Sequence, residues 1–210
     1  MIKIITIDRE YGSGAADIAA KLAARLGWKL WDELLTIEIA RITGCDCPAV
    51  EEREERRDAL PHRLFKAFIR GSFEGTIQAH RVKFVDADCI REAAEKVVRE
   101  AAEQGNCVIV GRGSAHYLKS NPEVFHAFIY APFEEKVQRL RSMGKSEEEA
   151  RLLAETVDRD RAAYIRQYFK VEWPFREIYH LMINSSLGDD VVVDIILSSV
   201  GRAARPLARR

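Results

Sequence analysis

The apolar residues of this chain fall into short continuous runs that alternate with longer stretches of helical periodicity. A run of four to eight β-branched and other apolar residues, bounded by glycine or polar positions, is typical of a buried strand. The pattern predicts strands over residues 2–8, 28–31, 107–110, 125–131 and 179–183.

Helical patterns separate most of these runs. In the first of them, Ile18, Leu22 and Leu26 recur every four positions. Ser146, with Glu149 three positions later, forms a capping box that begins another helix. Strands that alternate with helices indicate an α/β fold with a parallel sheet, whose ligands bind beyond the carboxyl ends of the strands. Further helices are predicted over residues 33–43, 61–84, 88–104, 132–143 and 189–201.

Charge and cysteine content narrow the range of partners. The 210 residues carry 33 basic and 33 acidic side chains, so no overall positive field attracts a nucleic acid. Residues 202–210 hold arginines and no acid, which predicts a solvated basic tail. Without an apolar run of about 18 residues or a signal-peptide pattern, no membrane partner is expected. Cys45, Cys47, Cys89 and Cys107 form neither a disulfide framework nor a zinc motif, so we expect reduced thiols in the cytoplasm.

The loop after the first strand is the strongest candidate for a binding site. Gly12, Ser13 and Gly14 stand between a strand and a helix, where glycines let backbone N–H groups and the helix N-terminus surround a phosphate. The usual pattern ends in lysine and a hydroxyl residue, but Ala15 and Ala16 occupy those positions here. The same segment also fits a plain glycine-rich turn between strand and helix.

Four blocks together resemble one known family. Residues 5–14 are similar to the opening of the cytidylate kinase-like family, P-loop proteins related to bacterial cytidylate kinases, and residues 105–113 are similar to its second block. Residues 158–164 resemble its arginine-bearing lid, and residues 179–188 resemble its last strand and loop. The blocks occur in family order and span nearly the whole chain.

The resemblance implies the architecture. It implies a P-loop kinase-like three-layer sandwich with a parallel five-strand sheet and a helical lid. Residues 1–201 would form a single domain. Within it, residues from about 45 to 88 would be a helical acceptor-binding insert and residues from about 144 to 175 the lid region, followed by the basic tail 202–210.

The resemblance also implies the site. The loop residues would bind the donor's phosphates, the loop after the third strand would hold the acceptor, and arginines would act on the transferring group. The donor-binding residues are Arg9, Tyr11, Gly12, Ser13, Gly14, Ala15, Ala16 and Asp17, the acceptor-binding residues are Asp32, Gly111, Arg112 and Gly113, and the catalytic residues are Arg112, Arg159 and Arg161.

The donor loop departs from the family pattern. The family tends to carry glycine and then arginine after the second loop glycine, whereas this chain has Ala15 and Ala16. Losing one such cationic contact lowers a rate by roughly 10²–10³-fold, and Arg9, Arg112, Arg159 and Arg161 are the candidates to compensate.

Asp17 has two interpretations. It is an acid in the first turn of a helix, where it favours the helix dipole. It is also an oxygen donor that could contact Mg²⁺ through water. The dipole interpretation is preferred, so we assign no residue as a metal ligand.

Three functions remain open from the sequence. The first is transfer of a phosphoryl group from ATP, with Mg²⁺, to a nucleoside monophosphate, with CMP or dCMP as the first guess. The second is a module that binds a nucleotide or phosphorylated metabolite without turnover, which Ala15 and Ala16 motivate. The third is a kinase for another small acceptor. In each case the partner is a small molecule, and the protein is expected to be a monomer or a homodimer.

Overall fold

The computed structural model describes residues 1–43 and 87–203. It contains a five-stranded parallel sheet with the strand order β2-β3-β1-β4-β5. The α/β class, the parallel sheet and its five strands are therefore confirmed. The strands are β1 (Ile4–Arg9), β2 (Lys29–Trp31), β3 (Cys107–Val110), β4 (Val124–Tyr130) and β5 (Leu181–Asn184).

Helices cover both faces of this sheet. The predicted helices outside residues 44–86 are all present, and the structure adds a short one directly after β3. They are α1 (Ala15–Leu26), α2 (Glu33–Thr43), α3 (Ala87–Gln104), α4 (Ser114–Tyr117), α5 (Phe133–Ser142), α6 (Glu147–Phe169) and α7 (Asp189–Ala203), with 3₁₀ turns at Arg176–Ile178 and Ser185–Leu187.

The strand order creates a crevice beside β1. From β1 the chain runs through α1 to the edge strand β2, whereas from β3 it crosses to the other side of β1 to form β4. The loops after the neighbouring strands β1 and β3 therefore leave in opposite directions, which is the point where α/β sheets bind ligands. The N–H of Gly111 donates to the carbonyl of Ile7 at 2.9 Å, so the two loops begin side by side.

Strand alternation divides the core into two layers. Ile5 and Ile7 are fully buried against α1 and α7, whereas Ile4 packs on the opposite face with residues of α2 and α3. Burial of each such side chain is worth about 1.5–3 kcal/mol. Both layers therefore anchor β1, whose carboxyl end carries the glycine loop.

The helix α6 is the longest described helix, and its start follows the prediction. The hydroxyl of Ser146 accepts a hydrogen bond from the N–H of Glu149 at 3.1 Å, as expected for an N-cap. At its other end, Phe169 stacks on His116 with ring centroids 4.5 Å apart. Beyond it, Trp173 meets Phe128 of β4 edge-on at 5.5 Å. These aromatic contacts dock the helix onto the sheet.

Some predicted boundaries and segments differ from the structure. The strand β1 begins at Ile4 and includes Arg9, because Arg9 still pairs in register with Ile129 of β4. β5 begins at Leu181 rather than at residue 179, because its pairing with β4 starts at Leu181 opposite Ala127. The predicted helix over 61–84, most of the insert 45–88, and all but the first two residues of the tail 202–210 lie outside the described residues. No helix among the described residues is both long and apolar enough to span a bilayer.

Candidate active site

The loop between β1 and α1 curls around the N-terminus of α1. Gly12 and Gly14 have left-handed φ angles of 76° and 74°, and Gly14 is the N-cap of the helix without a side-chain cap. Within the described residues, the N–H groups of Ala15, Ala16 and Asp17 find no protein acceptor, as is usual for the first turn of a helix. This arrangement suits a phosphate, which would accept from those groups and face the positive end of the helix dipole.

The loop itself supplies no cation beyond Arg9. Arg9 stands where the usual pattern has its first glycine, and Ala15 stands where it has lysine. Ala15 is fully buried in the apolar cluster beneath the loop. A cation for the donor phosphates must therefore come from another element.

Helix α5 brings an arginine to the loop. The Nη1 of Arg139 lies 3.4 Å from the carbonyl oxygen of Gly12, and the same guanidinium is 3.8 Å from Asp189. A Cβ built on Gly14 would overlap this guanidinium, so Arg139 lies directly against the loop. The sequence analysis missed Arg139, whose only signal is its place on the helix that follows β4.

Four charged side chains brace the outer side of the loop, and we call them the loop brace: Glu10, Lys136, Asp158 and Arg161. The Nζ of Lys136 lies 3.1 Å from Glu10 and 3.1 Å from Asp158. The side chains are 28%, 9%, 14% and 13% exposed in that order, and their charges cancel. Buried ionic groups that satisfy one another in this way fix a geometry, because removal of one partner leaves the others uncompensated.

The loop brace also bonds to the backbone of the loop. The N–H of Tyr11 donates to the carboxylate of Asp158 at 2.8 Å. The guanidinium of Arg161 donates to the carbonyl of Arg9 at 2.8 Å and to Asp158 at 3.1 Å. Helix α6 therefore holds the loop at two backbone atoms, and the sequence analysis missed both Lys136 and Asp158.

The two expected lid arginines do not lie together. Arg161 is part of the loop brace, whereas Arg159 is exposed and forms no ion pair with another described residue. Residues two apart on a helix face different sides, so both cannot address one group from a rigid α6. Arg161 is already beside the loop, and Arg159 projects into solvent.

The second loop, after β3, is unusual in its backbone. Gly111, Arg112 and Gly113 have φ angles of 66°, 59° and 73° in succession. The left-handed conformation disfavours arginine by about 1–3 kcal/mol, and strain of this kind concentrates at functional sites. Arg112 is 9% exposed, and its Nη2 donates to the hydroxyl of Thr36 at 2.6 Å.

Arg9 also points toward this side of the crevice. Its side chain is 7% exposed, and its Nη2 lies 4.0 Å from the carboxylate of Asp32 at the end of β2. A Cβ on Gly111 would overlap its Nη1. The structure thus brings together Arg9, Asp32, Gly111 and Arg112. Tyr11 to Gly14 lie in the neighbouring loop, and Ala15 to Asp17 form the first turn of α1.

Two pairs of buried polar side chains lie close to the crevice: Tyr179 with Asp8, and Thr6 with His126. The phenol of Tyr179 donates to Asp8 at 2.8 Å, and both burial and this carboxylate raise the pKa of Tyr179, so the phenol stays protonated. The hydroxyl of Thr6 lies 2.7 Å from Nδ1 of His126, and burial lowers the pKa of His126 to about 4. Tyr179 and His126 are therefore both uncharged at neutral pH.

Asp17 is the carboxylate that the sequence analysis considered as a contact for Mg²⁺. Across the described residues, no three His, Cys, Asp or Glu side chains are grouped to hold a metal. Mg²⁺ in phosphoryl-transfer enzymes is usually held by one or two carboxylates and by the substrate's phosphates. Asp17, exposed in the first turn of α1, fits that limited role, and it also fits the helix-dipole role preferred above.

Solved structures share this fold. An uncharacterized protein from Eubacterium ventriosum is 25% identical, with a TM-score of 0.68 over 96% of this chain and 99% of that chain. The shikimate kinase of Acinetobacter baumannii, in complex with shikimate, is 18% identical, with a TM-score of 0.53 over 98% and 97% of the two chains. A gluconokinase from Sinorhizobium meliloti is 13% identical, with a TM-score of 0.53 over 95% and 92%. The fold is therefore that of P-loop kinases.

The sequence comparisons identify the family. No curated protein matches this chain. The family model described as cytidylate kinase-like family matches residues 4–187, which include all five strands and both loops of the crevice. Because that match spans most of the chain, the protein belongs to the cytidylate kinase-like family.

Proposed function

We propose that this protein is a kinase that transfers the γ-phosphoryl group of ATP to a nucleoside monophosphate, with CMP or dCMP as the first acceptor to test. One observation carries the proposal: the loop of Gly12 and Gly14 and the loop of Arg112 flank the same crevice at the ends of β1 and β3. A donor bound at one loop would face an acceptor bound at the other. Membership of the cytidylate kinase-like family supports the same reaction.

The reaction balances with these two substrates alone. The bond between the γ-phosphorus and the β–γ bridging oxygen breaks, and ADP keeps the electron pair. A new bond forms between that phosphorus and an oxygen of the acceptor's phosphate, which gives a nucleoside diphosphate. An ionised phosphate oxygen needs no base, so the protein's task is positioning and charge stabilisation. Bound Mg²⁺ would supply further neutralisation of the phosphates.

Each part of the site has a task in this proposal. The first N–H groups of α1 bind the donor's phosphates, and Arg139 supplies the cation that Ala15 does not. The loop brace keeps those N–H groups pointing inward. Arg112 grips the phosphate of the acceptor, as the family resemblance implies. Residues from about 144 to 175 form the lid, with Arg159 exposed on it.

A binding module without turnover is the second candidate. It is favoured by one observation, the absence of both a lysine and a hydroxyl at positions 15 and 16 of the loop. A kinase for another small acceptor is the third, because the fold is shared with a shikimate kinase and a gluconokinase. The three differ in whether ADP forms and in which acceptor it requires.

Acceptor-dependent ADP formation distinguishes these functions. Purified protein with Mg·ATP is assayed by enzyme-coupled ADP detection against CMP, dCMP, UMP, AMP and GMP, with a water-only control. We expect ADP formation above that control with a pyrimidine monophosphate, and an Arg112→Gln variant with a raised acceptor KM. If calorimetry shows that ATP binds but no acceptor leads to ADP formation, the binding module is favoured instead.

A further inference from the structure

We propose that Arg9 belongs to the acceptor site rather than to the donor loop, and that together with Arg112 it binds the phosphate group of the acceptor. The inference rests on the proposed kinase function and adds a specificity-determining residue to it. The sequence places Arg9 at the start of the donor loop, in the position of the first glycine of the usual pattern. Its side chain, however, points toward Gly111 and Asp32.

The direction of the Arg9 side chain separates it from the donor loop. In the sheet order, β3 and then β2 lie on one side of β1, and β4 lies on the other. Arg9 ends β1, and its guanidinium passes Gly111 at the end of β3 to within 4.0 Å of Asp32 at the end of β2. Arg139 approaches the loop from α5, which follows β4. The two arginines therefore serve opposite sides of the crevice.

Arg9 and Arg112 reach the same helical turn. Arg112 donates to the hydroxyl of Thr36 at 2.6 Å, and that hydroxyl lies 3.4 Å from the carbonyl of Asp32. Arg9 approaches the carboxylate of the same Asp32. Two guanidinium groups that are about nine-tenths buried thus converge on the first turn of α2.

The chemistry of this pair suits a phosphate. Arg9, Arg112 and Asp32 together carry a net charge of +1, in a place where burial strengthens electrostatic attraction. Each guanidinium presents N–H donors in a planar fork that matches phosphate oxygens. A phosphate monoester offers three terminal oxygens to the two forks, so it can satisfy both at once.

Gly111 provides a second observation. Its φ of 66° favours glycine, and a Cβ there would overlap the guanidinium of Arg9. Glycine at this position therefore makes room for Arg9 beside Arg112. A Gly111→Ala variant should displace Arg9 and reproduce part of the effect of removing it.

The test separates acceptor binding from donor binding. Steady-state KM values for ATP and for the best monophosphate are compared in Arg9→Gln, Arg9→Lys and Arg139→Gln. We expect Arg9→Gln to raise the acceptor KM by about 10- to 100-fold, the size of a lost charge-assisted contact, with the ATP KM nearly unchanged. Arg9→Lys should recover part of the affinity. Arg139→Gln should show the opposite pattern and raise the ATP KM.

Two results would overturn the inference without affecting the kinase assignment. One is a wild-type enzyme that turns over while Arg9→Gln raises the ATP KM alone. The other is an unchanged acceptor KM in a folded Arg9→Gln variant. If Arg9→Gln does not fold, Arg9→Lys and Gly111→Ala answer the same question.

A direct binding measurement keeps the inference testable if the kinase assignment fails. When the wild type shows no turnover with any acceptor, calorimetric titration of CMP into wild type and Arg9→Gln replaces the KM comparison. Weaker binding to the variant supports the inference. Equal affinity, or no binding of CMP to the wild type, overturns it.

Discussion

The carboxylate of Asp158, in the middle of helix α6, accepts a 2.8 Å hydrogen bond from the backbone N–H of Tyr11 in the loop after β1. The two residues are 147 positions apart in sequence. Through this bond and the neighbouring Lys136, the lid-side helix fixes the shape of a loop that lacks the usual lysine. The loop brace therefore links the stability of the fold to the competence of the donor site.

The first prediction concerns that link. Asp158→Asn keeps the size of the side chain but leaves Lys136 and Arg161 with one carboxylate fewer. We expect the free energy of unfolding to fall by about 3 kcal/mol, because a partly buried charge cluster loses its compensation. Urea unfolding measures this. Glu155→Gln, an exposed position on the same helix, is the matched control and should change stability by less than about 0.5 kcal/mol. Equal losses of stability in the two variants would contradict the stabilising role of the loop brace.

The second prediction concerns the cation on the donor side. Arg139→Gln should lower kcat/KM for ATP by about 10- to 100-fold, because the cation that lies against Gly12 and Gly14 is lost. Arg141→Gln is the control on the same helix, since Arg141 is exposed and pairs with Glu147 instead. It should stay within about twofold of the wild type, because exposed ion pairs contribute little. If both variants lose activity alike, Arg139 has no special relation to the donor.

A third prediction compares two glycines of similar backbone conformation. Gly14 and Gly27 have φ angles of 74° and 66°, but a Cβ on Gly14 overlaps Arg139 whereas a Cβ on Gly27 meets nothing within 4 Å. Gly27→Ala should cost about 1 kcal/mol of stability from backbone strain and leave ATP affinity intact. Gly14→Ala should also weaken ATP binding, which calorimetry measures. Unchanged ATP affinity in Gly14→Ala would argue against a donor site at this loop.

The fourth prediction concerns pH. Burial is the main cause that lowers the pKa of His126 to about 4, with His180 and His116 lowering it further and Asp8 opposing them. The unfolded chain, with a histidine pKa near 6.5, binds the proton more readily between those values, so stability rises with pH. We expect stability to be complete above about pH 6.5 and to fall by up to about 3 kcal/mol as pH approaches 4.

Urea unfolding at pH 7.5, 6 and 5 measures this dependence. In His126→Gln the amide can still bond to Thr6 but does not titrate, so the slope of stability against pH should decrease. His116, whose pKa burial also lowers, contributes a dependence of its own that remains in the variant. A variant with the slope of the wild type would show that His126 does not control the dependence.

Much of the fold could be predicted because it is local in sequence. Apolar runs define the strands, and the Ser146 cap marks the start of α6 from residues three positions apart. The glycine loop could also be placed, because a strand, two glycines and a helix follow one another directly. Each of these signals lies within one element or one turn.

The missed parts of the site depend on distant contacts. Lys136 meets Asp158 across 22 positions, and nothing in either segment marks them as partners. Arg9 could be recognised as a basic residue, but its direction toward Asp32 depends on the strand order β2-β3-β1. The different faces of Arg159 and Arg161 follow from helical geometry and could have been anticipated.

The central claim is that this loop, without its usual lysine, supports phosphoryl transfer to a nucleoside monophosphate. ³¹P NMR of the purified protein with Mg·ATP and a mixture of common nucleoside monophosphates tests it most directly. The account predicts new diphosphate signals from the acceptor, beyond those of ADP, that are absent without protein and disappear when the true acceptor is left out. ATP that stays intact, or that breaks down only to ADP and inorganic phosphate, would contradict it.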